Sequence, residues 1–468
     1  MKLPDSFCER TRALLGDERW SVMERALGEE PTVSVRRNPW KQSGWQTDSW
    51  QTDGAVPWCP DGVYLKERPS FTFDPMFHIG VYYVQEASSM FVSHVIRQLA
   101  DALEDNSLTV LDMCAAPGGK STAMISALPH GSLLFANEPI RLRANILAEN
   151  LSKFGYPNVV VTNNYPKDYE RSGLRFDVVL CDVPCSGEGM FRKDAGAIEE
   201  WSEDHVKRCS QLQREIVESA WKVLRPGGFL IYSTCTFNRE ENEDNIRWME
   251  EELDATPWSI QINSEWGIQG SMTEDYSGPC YRFLPGFTRG EGLFMAVLRK
   301  EPSQKGERLD CHKQIKKPTK FSKEEQELLS WMYVIHNESG WELRQVNDVF
   351  SAIRHDWVLE TDIALGRLQV LQAGVPLAKR KGKAFQPDHR WVLSMAQRTG
   401  VFSKVELSYK QAIQYLRGES LVLNDAPLGY LLVCFQGAQL GFVKNVGNRA
   451  NNLYPTEWRV KKALYPEQ

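Results

Sequence analysis

The chain of 468 residues lacks any run of about 18 apolar residues, which excludes a membrane-spanning helix. Its first ten residues, MKLPDSFCER, hold no apolar signal core, so export is not expected. None of the ten cysteines stands in a C-x-x-C pair, and a zinc ribbon or thioredoxin-like site has no support. Disulfide spacing is missing as well, and a reducing compartment, the cytoplasm, is expected. Nor is there an excess of positive charge. The net charge of −6 speaks against a polycation that coats nucleic acid. Compositional bias is absent too: 42% hydrophobic and 25% charged residues are ordinary globular values. The length carries a prior of about three domains.

The middle third carries an alternation of apolar runs and helical stretches. The runs are 107–113, 132–138, 158–162, 176–182 and 229–235, with a last one over Leu293 to Leu298. Helices are predicted over Arg141 to Phe154 and from about Asp204 to Leu224, and Arg225-Pro226-Gly227-Gly228 reads as a turn. Such alternation predicts an α/β unit with a parallel sheet covered on both faces. Residues 301–320 are polar and lysine-rich and read as a linker. Beyond them a helix is expected over Glu324 to Ile335. Two strands, 429–435 and 440–444, flank a Gly-containing turn and suggest a small β-rich domain. The near-repeat Trp45-Gln46-Thr47-Asp48 and Trp50-Gln51-Thr52-Asp53 reads as a surface-loop insertion rather than an aromatic platform.

Charge divides at the same place. Residues 1–300 hold 31 basic and 43 acidic side chains, a balance of −12. Residues 301–468 hold 24 and 18, a balance of +6. The basic run Lys379-Arg380-Lys381-Gly382-Lys383 lies in this second part, where a phosphate contact is expected.

Three segments carry chemistry. The first, Cys114-Ala115-Ala116-Pro117-Gly118-Gly119-Lys120, follows an apolar run ending at Asp112. Its glycines permit close backbone approach, and the helix after it offers free N–H groups. It is not a phosphate-binding P-loop, because Cys114 stands where the first glycine is required. Glu138, 19 residues after Gly119, ends the next run, a place from which an acid takes a ribose hydroxyl pair. An adenosine-containing cofactor follows. The second segment is Asp182-Val183-Pro184-Cys185-Ser186-Gly187 and the third Ser233-Thr234-Cys235-Thr236, each at a strand's carboxyl end, where ligands of open α/β sheets bind. Two thiols, an acid and such a cofactor suit methylation of a pyrimidine. A thiolate adding to carbon-6 of cytosine makes carbon-5 nucleophilic toward a methyl donor, and a carboxyl group at N3 stabilises the adduct. On these grounds either thiol could attack. Cys114 and Cys181 are read as structural.

CAAPGGK, DVPCSGEG and STCT, in this order and spacing, resemble the Sun-family RNA cytosine-C5 methyltransferases. Arg36-Arg37-Asn38-Pro39-Trp40-Lys41 is similar to the family's R-x-N-P-x-K, Tyr82 to Met90 to its Y-x-Q-E-x-S-S, and Gly290 to Phe294 to its closing strand. The tail, with Gly441-Phe442-Val443-Lys444 and Asn452-Leu453-Tyr454-Pro455, resembles the bacterial RsmF/YebU branch. That branch carries a PUA-like RNA-binding domain and methylates small-subunit ribosomal RNA.

The resemblance implies a class I, Rossmann-like methyltransferase core with an N-terminal α/β extension and a β-rich, PUA-like C-terminal domain. It implies S-adenosylmethionine as cofactor, held by Cys114 to Lys120, Glu138 and Asp182, with Asn164 on the adenine amino group where many members have Asp. Cys235 would be the nucleophile, with Asp182 at the reacting base, and Cys185 would assist release. The expected division is an RNA-side segment (1–95), a methyltransferase domain (96–300), a linker (301–320), a middle region (321–390) and the PUA-like domain (391–468). RNA is the expected partner, as small-subunit ribosomal RNA or the assembling subunit; neither membrane nor metal is expected, and a monomer is favoured. The alternatives are a transfer RNA or DNA methyltransferase, or a non-catalytic RNA-binding assembly factor.

Overall fold

A computed structural model describes residues 3–41, 50–302, 320–333 and 340–461. The first Trp-Gln-Thr-Asp copy, Cys311, nearly all of the expected linker and the end of the helix expected over 324–335 lie outside the described residues. In the second copy, Trp50 packs on Tyr82 and Phe71, with ring centroids 4.7 and 5.7 Å away.

The centre of the molecule is a nine-stranded sheet. Its five inner strands are parallel, in the order Leu224–Thr234, Phe176–Asp182, Thr109–Asp112, Leu133–Asn137 and Val159–Thr162. Successive residues bury opposite faces. Val110, Leu134, Val161, Leu180 and Ile231 meet the helices Phe91–Leu103, Gly119–Ile125 and Arg141–Phe154. Leu111, Phe135, Val160, Val179, Cys181 and Leu230 meet the helix Glu203–Val223. Runs apolar on both faces are what a doubly covered parallel sheet requires. Leu293–Lys300 adds an antiparallel strand beside Leu224–Thr234. The expected turn at 225–228 is part of the strand itself: Leu224 already pairs with Phe176, and a register shift before Val178 accommodates Gly227 at φ +81°.

The chain enters the sheet at its middle strand, Thr109–Asp112. It lays two strands to one side, then crosses to the other with Phe176–Asp182. This reversal opens a crevice at the carboxyl ends of the two adjacent strands. All three chemistry-bearing segments leave the sheet at that edge.

The N-terminal unit has two helices, Asp5–Leu15 and Asp17–Leu27, and a four-stranded sheet in the order Thr52–Ala55, Gly62–Leu65, Val33–Arg37, Tyr82–Val84. The R-x-N-P-x-K segment docks this unit onto the core. Arg36 is buried and donates to Gln85 Oε1 (2.8 Å), Thr122 Oγ1 (2.6 Å) and Ser126 Oγ (3.0 Å) on the helix after the Gly-rich loop. Burial draws its guanidinium down to about 10. Asn38 and Lys41 donate to carbonyls at the other end of the core, Phe154 O at 2.9 Å and Lys153 O at 2.5 Å. Lys41 has no carboxylate there, and burial lowers it to about 7.

Two further four-stranded sheets form the tail: Trp341–Val346, Val349–Arg354, Val375–Lys381, Ala384–Pro387, and Lys404–Glu406, Gly429–Phe435, Ala438–Asn445, Ala450–Asn452. The hairpin expected near the C-terminus pairs Tyr430 with Lys444. The helix expected from Glu324 is short: Lys323–Gln326 runs straight into a 3₁₀ segment, Glu327–Trp331. The basic run sits on the hairpin edge, where Lys379 meets Asp348 and Arg380 meets Glu325. A strand of the tail extends the central sheet. Val370–Ala373 pairs antiparallel with Val159–Thr162 and forms the outer strand of the central sheet. Among the described residues no helix is long and apolar enough to cross a membrane.

Candidate active site

Cys185 follows the strand Phe176–Asp182, and Cys235 follows its parallel neighbour Leu224–Thr234. The register sets Asp182 opposite Ser233, so the two thiols leave adjacent strand ends together. Their Sγ atoms lie 3.1 Å apart, both part-exposed, and the Cys235 N–H reaches Cys185 Sγ at 3.3 Å. The hydrogen bond to Cys235, with burial added, raises the Cys185 thiol well above its ordinary value.

Asp182 ends the same strand. One carboxylate oxygen accepts from Ser233 Oγ (2.7 Å), the other from Lys120 Nζ (2.9 Å). Burial alone would lower the Lys120 ammonium, but the charge of Asp182 and their hydrogen bond outweigh it and hold the group above its usual value. Lys120 therefore ties the Gly-rich loop to the Asp182 strand as a cation.

The loop from Cys114 runs to Gly118, whose φ of +110° a side chain would strain, and then opens the helix Gly119–Ile125. Asp112 beneath it is fully buried. Its Oδ2 accepts from Ser121 Oγ at 2.6 Å while Oδ1 has no partner, and burial pushes the group up to about 7. Cys114 is part-exposed, and burial raises its thiol well above the ordinary value. Cys181 is fully buried among the side chains facing the helix Glu203–Val223.

Glu138 ends the next strand with its side chain 2% exposed. It accepts from the Ile140 N–H at 3.0 Å and faces Arg143 at 3.5 Å, and Arg143 also donates to Ala116 O of the loop. Asn164 lies past the third strand. Its Oδ1, the atom expected to meet adenine, accepts from the backbone N–H of Gln369 at 3.0 Å. The Asn163 N–H in turn donates to Gln369 O at 2.9 Å. This corner of the crevice is built partly by the tail.

Behind the thiols lies a buried polar network that composition concealed. Glu241, fully buried, accepts from Ser186 N–H, Ser186 Oγ, Gln213 Nε2 and Asn238 Nδ2. Glu188, 1% exposed, accepts from Phe237 N–H (2.6 Å), Asn238 N–H and Trp201 Nε1 (both 3.0 Å). Gly189 N–H donates to Cys235 O at 2.8 Å, and a Cβ at Gly189 would stand 2.8 Å from that same oxygen. The Cys235 backbone is thereby held against the loop that carries Cys185, and Ser186, next to Cys185, against the segment that carries Cys235.

Burial pushes Glu241 from 4.5 up to about 7 against the hydrogen bonds that favour its charge. A carboxyl group raised in the folded state stabilises at low pH, and that stability is lost as pH rises through about 7. In thermal melts, the difference between the wild type and Glu241→Gln is expected to fall as pH is raised from 4.5 to 7. A difference independent of pH would contradict this.

A Gly-rich loop, an acid closing the second strand and reactive side chains at the strand ends, all on a Rossmann-like sheet, define a methyltransferase. The family model of the 16S rRNA methyltransferase RsmB/F matches residues 99–299, that of the N-terminal domain of 16S rRNA methyltransferase RsmF residues 3–87, and that of the methyltransferase RsmF PUA domain residues 402–460. The ribosomal RNA small subunit methyltransferase F of Shewanella loihica is 34% identical over 417 residues, covering 86% of this chain and 83% of that protein. The protein of the same name from Escherichia coli is 31% identical over 412 residues, covering 86% and 84%. A solved methyltransferase homolog from Pyrococcus horikoshii aligns with a TM-score of 0.54 and 28% identity over 64% of this chain and 95% of its own. The chain belongs to the RsmF family of Sun-type methyltransferases.

Proposed function

We propose that this protein transfers a methyl group from S-adenosylmethionine to carbon-5 of a cytosine in small-subunit ribosomal RNA. The observation that carries the reading is the pair of thiols 3.1 Å apart at neighbouring strand ends, beside the Gly-rich loop. Cytosine carbon-5 needs a thiolate on carbon-6 before it can attack a methyl group, and a second group to help that thiol leave. Two thiols in contact can divide these tasks, and the resemblance of Ser233-Thr234-Cys235-Thr236 to the RNA-family pattern gives the attack to Cys235 and assistance of release to Cys185. Asp182, oriented by Lys120 and Ser233, takes the N3 edge of the ring. S-adenosylmethionine supplies an electrophilic methyl group. Its cradle is Cys114, Ala115, Ala116, Pro117, Gly118, Gly119 and Lys120, with Glu138 and Asp182 at its sides. The orphaned Asp112 Oδ1 beneath the loop fits an amino group of such a ligand. Residues 96–300 carry the chemistry; 1–95, the middle region 321–390 and the PUA-like domain 391–468 hold the RNA, and the basic balance of the tail supplies the electrostatic handle. The target base must leave its stack to reach the crevice. The names of the curated relatives support ribosomal RNA as substrate.

The test is methyl transfer from labelled cofactor to small-subunit ribosomal RNA isolated from a strain without the gene, followed by bisulfite sequencing. One newly protected cytosine is expected. Label at another atom, or in transfer RNA alone, overturns the reading.

In this reading Asn164 acts as a positioning residue at the adenine end, fixed by Gln369 of the tail. Asn164→Ala is expected to raise the Kd for S-adenosylmethionine about three- to tenfold, the worth of one hydrogen bond. The rate at saturating cofactor stays within about twofold. Calorimetric titration measures the first, and an unchanged Kd contradicts the role.

A further inference from the structure

We propose that Cys185 and Cys235 are a redox-modification site: a peroxide converts them to a disulfide that switches the enzyme off, and a dithiol reductant switches it on again. The geometric part stands on the structure alone; the loss of activity rests on the functional reading above.

A disulfide needs its sulfurs at about 2.05 Å and its Cβ atoms within about 4.5 Å. The two Sγ atoms are already 3.1 Å apart, so closing the bond takes a movement of about 1 Å. Adjacent parallel strands supply the backbone spacing, and Asp182 pairs with Ser233 just before the two loops. The loops cannot drift apart, because Gly189 N–H holds Cys235 O and Glu241 holds the Ser186 N–H that follows Cys185. Rotation of the side chains is what remains. Both cysteines are part-exposed at the crevice, so a small oxidant reaches them. Among the described residues no other two thiols make a hydrogen-bond contact; Cys209, the other cysteine with a side-chain partner, meets His205.

The chemistry balances with hydrogen peroxide. One thiol, as thiolate, attacks a peroxide oxygen; an S–O bond forms, the O–O bond breaks, and the departing hydroxide leaves as water with the thiol's proton. The second sulfur attacks the sulfenic sulfur, the S–S bond forms, the S–O bond breaks, and hydroxide leaves as water with the second thiol's proton. Two thiols and one hydrogen peroxide give one disulfide and two waters. The neighbouring thiol captures the sulfenic acid before it is oxidised further, as a resolving cysteine does. With both sulfurs tied together neither can add to carbon-6.

The experiment treats the full-length protein with hydrogen peroxide, blocks free thiols by alkylation and maps peptides by mass spectrometry, with methyl transfer assayed in parallel. A peptide linking Cys185 to Cys235 is expected. Methylation falls at least about tenfold and returns with dithiothreitol. In Cys185→Ala the same treatment takes Cys235 to sulfinic acid, which dithiothreitol does not reverse. Sulfinic acid at Cys235 in the wild type, or links through other cysteines, overturns the proposal. The mapping needs no RNA. A clean 185–235 link in a protein that methylates nothing supports the redox site and counts against the functional reading, and methylation without the link does the reverse.

Discussion

Cys235→Ala is expected to abolish methyl transfer, by at least about 10³-fold in kcat, while cofactor binding persists. The reason is chemical rather than structural. Carbon-5 of an intact cytosine does not attack a methyl group at a useful rate, so a site without the adding thiolate has no alternative route. Cys235 is part-exposed at the end of a strand whose hydrogen bonds run through the backbone, and removing one sulfur leaves that frame in place. Cys185→Ala removes the other thiol and is expected to give a different phenotype. The adduct forms and is methylated, but its release loses the assisting group. A slow-migrating protein–RNA species on a denaturing gel, seen with Cys185→Ala and absent with Cys235→Ala, is the outcome. Equal, complete loss in both variants without a trapped species contradicts the division of roles.

Glu243→Ala is expected to lower stability by about 3–5 kcal/mol, the cost of leaving a buried cation alone. Glu243 is fully buried, and Arg282, 1% exposed, donates to it through Nε at 2.8 Å and through a second, short hydrogen bond from Nη2. The remaining Arg282 nitrogen, Nη1, donates to the carbonyl of Phe237 at 2.7 Å, two residues beyond Cys235. The pair thus holds the segment that carries Cys235, as Glu188 does from the other side through the Phe237 N–H. Replacing both members with apolar residues, Glu243→Leu with Arg282→Met, is expected to recover most of the stability, because no charge is then stranded. The shift of the urea midpoint measures both. A loss under about 1 kcal/mol for Glu243→Ala would show that the pair is not desolvated as the structure has it.

The central sheet was legible because parallel strands buried on both faces announce themselves as continuous apolar runs. Helix Arg141–Phe154 and strand Phe176–Asp182 fall where periodicity and composition predict them. The thiol pair was legible for a related reason: Pro184-Cys185 and Thr234-Cys235 each end such a run. What held the pair was not. Glu240-Glu241-Asn242-Glu243-Asp244 carries no apolar pattern, yet Glu241 and Glu243 are fully buried and organise two loops. A burial that depends on partners some 28 to 55 residues away leaves no local pattern. Two signals were present. Glu188 lies inside the segment that carries Cys185, and Asn238 and Glu241 follow the segment that carries Cys235 at short range. The strand Val370–Ala373 escaped for the same reason. It is short, and only its pairing with Val159–Thr162 makes it an edge of the central sheet. The R-x-N-P-x-K segment was legible as a motif but not as a dock: its Arg36, Asn38 and Lys41 join the N-terminal unit to both ends of the core.

The most direct test of the account is the identity of the residue bonded to the base. Cys185→Ala is incubated with S-adenosylmethionine and unmethylated small-subunit ribosomal RNA, digested with nuclease and protease, and mapped by mass spectrometry. The account predicts a single methylated cytidine adduct on the peptide containing Cys235. An adduct on any other residue, or trapping by Cys235→Ala instead, would contradict it.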